Sequence, residues 1–61
     1  MDTEDRQAVL DRAEALLPKY GGLTIGAVNQ AALLLGIPLT ADELKQLSSE
    51  LLTLTLMEGT T

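Results

Sequence analysis

From Tyr20 to Ala41 the chain runs for 22 residues without a charged side chain, and all of its acids and bases lie in the two flanking segments. In a protein of 61 residues that is about a third of the sequence. So large an uncharged fraction has to be covered, either inside the monomer or against a partner. A domain of this size buries only about 60% of its unfolded surface. Conformational entropy of roughly 1.5 kcal/mol per ordered residue then nearly cancels the hydrophobic gain. The usual remedies are disulfides, a metal or a second subunit. The chain has no Cys and no His, so disulfides, thiolate metal sites and imidazole ligands are excluded. A leucine- and alanine-rich core, shared between two chains, is what remains.

Helix signals cover most of the sequence. The first helix is expected over about 3–17. Asp2 or Thr3 can cap it, and Glu4 and Asp5 in the first turn favour the positive end of its dipole. Val9, Ala13, Leu16 and Tyr20 recur at steps of three and four, with Leu10 and Leu17 beside them, giving one apolar stripe. Pro18 disfavours helical geometry at Leu17, and Gly21-Gly22 supplies a stop. The second helix is expected over 25–35 with Thr24 as its cap. Ile25, Val28, Ala32 and Leu35 make one face; Ala27, Ala31 and Leu34 make another. A helix apolar around most of its circumference is expected to be surrounded, which places it at the centre of the fold.

Gly36-Ile37-Pro38 ends that helix. Thr40-Ala41-Asp42-Glu43 then has the Thr-x-x-Glu form of a capping box, and the third helix is expected over 41–56. Its core seam is Leu44, Leu47, Leu51 and Leu54, with Leu52 and Leu56 as a second apolar edge. Leu52-Thr53-Leu54-Thr55-Leu56 also alternates as a half-buried strand would. Helix is preferred, because a lone strand has nothing in this chain to pair with. Gly59-Thr60-Thr61 reads as a fraying tail. The fold class is therefore all-α: one domain, a small three-helix bundle associating as a helical dimer.

Little in the sequence points to catalysis. The hydroxyls of Tyr20, Ser48, Ser49 and Thr53 have no His to activate them, and no Cys is present as an alternative nucleophile. Lys45 shares a helix face with Ser48 or Ser49 by spacing, an ordinary surface arrangement. The carboxylate pairs Glu4/Asp5 and Asp42/Glu43 sit at helix starts, where dipole compensation explains them. No calcium-loop or phosphate-loop pattern occurs. Neither an enzyme activity nor a cofactor nor a metal is expected. The net charge of −5 with four cations and one aromatic residue opposes nucleic-acid binding. Glycines, Pro38, Asn29 and Gln30 break up the uncharged stretch, so no membrane span is expected. The acidic start Met-Asp-Thr-Glu-Asp carries no secretory signal, and with the lack of Cys it suggests the cytoplasm.

Two local patterns resemble known families. Leu23-Thr24-Ile25-Gly26-Ala27-Val28, with the four-residue spacing from Ala32 to Gly36, resembles the opening of some helix-turn-helix regulators over about twenty residues. The resemblance breaks at Asp42, an acid where a buried residue belongs. The helix that should enter DNA opens Ala41-Asp42-Glu43, which opposes base and phosphate contact. Leu39-Thr40-x-x-Glu43-Leu44-x-x-Leu47 followed by Leu51-Leu52 resembles the last helix of N-terminal docking domains from multienzyme assembly lines. That likeness implies protein docking and covers one helix; the strands of that family are missing here.

The function expected from the sequence is non-enzymatic protein association through leucine-rich helical surfaces, with a second copy of the chain as partner. Leu33, Leu34, Leu52, Leu56 and Met57 are the candidate interface residues. Two other expectations stand beside it. One is an acidic inhibitor of a basic, nucleic-acid-handling enzyme, using Glu4, Asp5, Asp11, Glu14, Asp42 and Glu43. The other is a precursor peptide with a helical leader and a Leu/Thr tail read by a modifying enzyme.

Overall fold

The computed structural model describes residues 2–58; the expected tail at 59–61 lies outside them. Three α-helices pack against one another: α1 (Thr3–Leu16), α2 (Thr24–Leu35) and α3 (Ala41–Glu58). A single 3₁₀ turn over Leu17–Tyr20 joins α1 to α2. No strand occurs among the described residues. The alternating Leu/Thr stretch 52–56 is helical and belongs to α3.

Each helix boundary has a local cause. α1 ends one residue before the expected position. Leu17 nevertheless keeps right-handed helical dihedrals (φ −49°, ψ −46°), contrary to the bias expected before Pro18. The chain tightens into a 3₁₀ turn there, with the proline near its start, where its missing amide hydrogen costs no helical bond. Gly21 and Gly22 follow at positive φ, and the Gly22 amide donates to the Leu17 carbonyl at 3.1 Å. α2 ends in the same manner: Gly36 has φ 70°, and the Ile37 amide donates to the Ala32 carbonyl at 2.9 Å. Thr24 does not cap α2. It is the first helical residue, and Leu23 holds the cap position without a side-chain bond. Asp2 caps α1, likewise without a side-chain bond.

The start of α3 is built as the sequence predicts. The Thr40 amide donates to a Glu43 carboxylate oxygen at 3.0 Å, and the Glu43 amide donates to the Thr40 hydroxyl at 3.2 Å. Two amides left over at the helix start are thereby satisfied reciprocally.

The core is narrow. Val9, Leu10 and Ala13 of α1 meet Ala27, Val28 and Ala31 of α2, with Leu47 and Leu51 of α3 closing the cluster. Leu16, Leu17, Tyr20, Ile37, Leu39 and Leu44 pack around its margin, partly buried. α2 touches both other helices, so the uncharged segment does hold the middle of the chain's packing. It is not surrounded, however. Its buried residues, Ala27, Val28, Ala31 and Ala32, occupy one side, and the opposite side faces solvent. The expected α3 seam is also shorter than the sequence suggests. Leu47 and Leu51 are fully buried and Leu44 partly so, whereas Leu54 is exposed. At 18 residues, against 14 and 12 for α1 and α2, α3 runs past the layers that could cover its last turns.

One polar group sits uneasily in this core. Ser48 is 8% exposed and its hydroxyl has no hydrogen-bond partner. Leaving a buried hydroxyl unpaired costs about 1–3 kcal/mol, and Ser is also a poorer helix former than Ala. Ser48→Ala is therefore expected to stabilise the protein by about 1 kcal/mol, raising the thermal midpoint by roughly 4–8 °C in a domain this small. Thr40→Ala removes the cap and should cost about 1 kcal/mol by the same thermal assay. The capping box also makes stability depend on pH. The Thr40 amide, and after it the Thr40 hydroxyl, hold the Glu43 carboxyl below the ordinary glutamate range. A lowered native pKa means that this contribution is complete above the unfolded glutamate pKa and is lost as pH falls through the native one. Glu43→Gln should flatten that part of the acid limb in a pH series of thermal melts.

Candidate interaction surface

The packing of α2 decides what the monomer leaves uncovered. Its core face is made of alanines and one valine, small side chains that let α1 and α3 approach closely. At 100° per residue, the side opposite Ala27, Val28, Ala31 and Ala32 is centred on Gly26 and Leu33, with Asn29 and Gln30 on either side of them and Ile25 and Leu34 at its two edges. Ile25, Asn29, Leu33 and Leu34 are exposed; Gly26 and Gln30 are half-buried. No charge lies on this face. Tyr20 folds back beside its first turn, its ring 3.6 Å from where a side chain at Gly26 would begin.

A second apolar region lies at the end of α3. Leu52, Leu54, Leu56 and Met57 are all exposed there, after the last core contact at Leu51. All five candidate residues from the sequence are on the outside: Leu33 is 68% exposed, Leu34 58%, Leu52 49%, Leu56 63% and Met57 65%. They are divided between the outer face of α2 and the end of α3. Leu23, Ile25, Leu35 and Leu54 are exposed as well, although nothing in the sequence singles them out as interface. Their spacing groups Ile25 and Leu35 with Val28 and Ala32 as one face and assigns Leu54 to the core seam. The available signal was size. Alanine marks the face of α2 that packs closely, so the bulky residues across the helix from it are the ones left outside.

Ser48 of the Lys45/Ser48 spacing is turned into the core. Ser49 lies with Lys45, Gln46 and Thr53 in a shallow, open depression against α1. Arg6 of α1 crosses that depression to pair with the Glu50 carboxylate of α3, and the Thr53 hydroxyl donates to the Ser49 carbonyl at 3.0 Å. Both partners of the ion pair are well exposed, so its contribution is at most modest. The acids Glu4, Asp5, Asp11 and Glu14 are spread along the exposed surface of α1, while Asp42 and Glu43 sit at the start of α3. No helix of the described residues is long and apolar enough to cross a membrane.

No protein-family description matches this chain, and comparisons with curated proteins and with solved structures find no significant match.

The division between covered and uncovered leucines has a direct consequence for stability. Leu51→Ala should cost about 2–5 kcal/mol, enough to unfold much of a domain this size. Leu33→Ser and Leu56→Ser in the dilute protein should each stay within about 0.5 kcal/mol of the parent. Chemical denaturation followed by circular dichroism separates the two outcomes.

Proposed function

We propose that this protein is a non-enzymatic association module that binds through the leucines of its helices, and that a second copy of the chain is a partner. One observation carries the reading. Among the described residues, the large aliphatic side chains in the core are Val9, Leu10, Val28, Leu47 and Leu51, while nine large hydrophobic side chains are exposed. Single apolar residues on a surface are ordinary. Here they outnumber the large core residues and gather on two elements, which is the pattern of a surface that is covered in use.

The composition supports the same reading. A monomer with four alanines among its nine buried apolar residues has little hydrophobic energy to set against its ordering entropy. Covering exposed leucines on association adds stability in proportion to the area removed from water, at about 25 cal/mol per Å². The net charge of −5 keeps the molecule soluble with that surface open.

Sedimentation velocity over a range from low to high micromolar concentration tests the proposal. The expected result is a concentration-dependent rise in mass that persists at high salt, because the contact is apolar. Leu33→Asp combined with Leu52→Asp, one change on each surface, should return the protein to monomer with its helix content kept. A wild-type protein that stays monomeric at high micromolar concentration overturns the self-association.

A further inference from the structure

The alternation of Leu52-Thr53-Leu54-Thr55-Leu56 is at odds with the helix that the segment forms. Residues two apart in a helix point about 160° from each other, which sets Leu54 nearly opposite Leu52 and Leu56. All three leucines are exposed, while Thr55 between them is half-buried. The helix thus turns a threonine inward and leaves the leucines outside. An extended chain would sort them, with Leu52, Leu54 and Leu56 on one face and Thr53 and Thr55 on the other.

The hold of the helix on this segment is also weak. Leu51 is the last residue of α3 in the core cluster, and none of residues 52–57 is buried. Their unwinding would leave Leu47 and Leu51 in place. Thr53 and Thr55 are β-branched and lose side-chain freedom in a helix. Both hydroxyls turn back to the backbone, Thr53 donating to the Ser49 carbonyl at 3.0 Å and Thr55 to the Leu52 carbonyl at 2.8 Å. Such bonds loosen a helix slightly. From Leu51 to Met57 the chain has no charge, glycine or proline, the composition of segments that pair between molecules as strands.

We propose that residues 52–57 are a conformational switch, helical in the monomer and converted at high concentration into a strand that pairs with the same segment of further copies. The alternation identifies the partner. Paired antiparallel about Leu54, Leu52 faces Leu56 and Thr53 faces Thr55, so leucine meets leucine on one face and threonine meets threonine on the other. No other stretch of the chain repeats this Leu/Thr alternation. Each added strand leaves an open edge, so the product grows beyond a dimer. Copies of net charge −5 repel, and added salt speeds the conversion by screening them. The proposal is separate from association through helices, which keeps helix content; here one end of α3 exchanges helix for strand.

The full chain at high micromolar concentration, held below its thermal midpoint, is followed by infrared absorption and light scattering. The expected result is a growing intermolecular sheet band and a growing mass, with most helix signal kept. Thr53→Ala combined with Thr55→Ala retains every leucine and should slow the conversion about tenfold, because the two exchanges favour the helix by roughly that factor. Leu54→Lys should abolish it. A double-alanine variant that converts as fast as the parent overturns the switch. Growth in mass without a sheet band also overturns it and leaves the association reading standing. A sheet band that appears only with loss of the whole helix signal is general unfolding, and the switch is then wrong. Absence of any sheet band in the parent protein rejects it outright.

Discussion

The close approach of α2 to its neighbours through Ala27, Ala31 and Ala32 governs the rest of this molecule. Small side chains bring helix backbones near each other, and dispersion between well-packed atoms grows steeply as they close. The same closeness leaves little volume between the helices. Val9, Leu10, Val28, Leu47 and Leu51 fill what there is. A thin core between two short helices and a longer one cannot also accept Leu33 or Leu34, whatever their hydrophobicity. Their exposure follows from the alanines rather than from any failure of packing.

Much of this architecture can be read from the residues, and the parts that can are the local ones. Thr40 and Glu43 specify the start of α3 through bonds that span three residues, so no distant contact can easily override them. Gly21-Gly22 and Gly36 specify chain reversals because positive φ is available to glycine at little cost. The periodicity of α1 places Val9, Leu10 and Ala13 inward correctly. What resists reading is how much of each helix's circumference gets covered. For α2 the pattern of apolar residues is almost continuous, and apolarity alone gives no direction. Which half is inside depends on where α1 and α3 lie, a tertiary fact. Leu54 fails for a related reason: the leucine repeat continues to the end of α3, but the neighbouring helices do not reach that far.

The candidate surface was half legible for the same reason. Surplus leucine can be counted in a sequence, and Leu33, Leu34, Leu52, Leu56 and Met57 are outside. That Ile25 lies outside as Leu33 does required the helix faces to be fixed first. Ser48 was legible as a hydroxyl near Lys45, but only the fold turns it into the core, where its hydroxyl has no hydrogen-bond partner.

The polar residues of the uncharged segment then take on a particular meaning. If the outer face of α2 faced only water, charged side chains would serve it better than Asn29 and Gln30, and α1 shows that this chain uses them freely on such a face. If it were permanently buried in an apolar environment, two amides would be costly unless each found a partner. Amides suit the intermediate case, a surface that is wet in the free molecule and covered in a complex. They hydrogen-bond to water in one state and to another amide in the other, without the desolvation penalty of an ion.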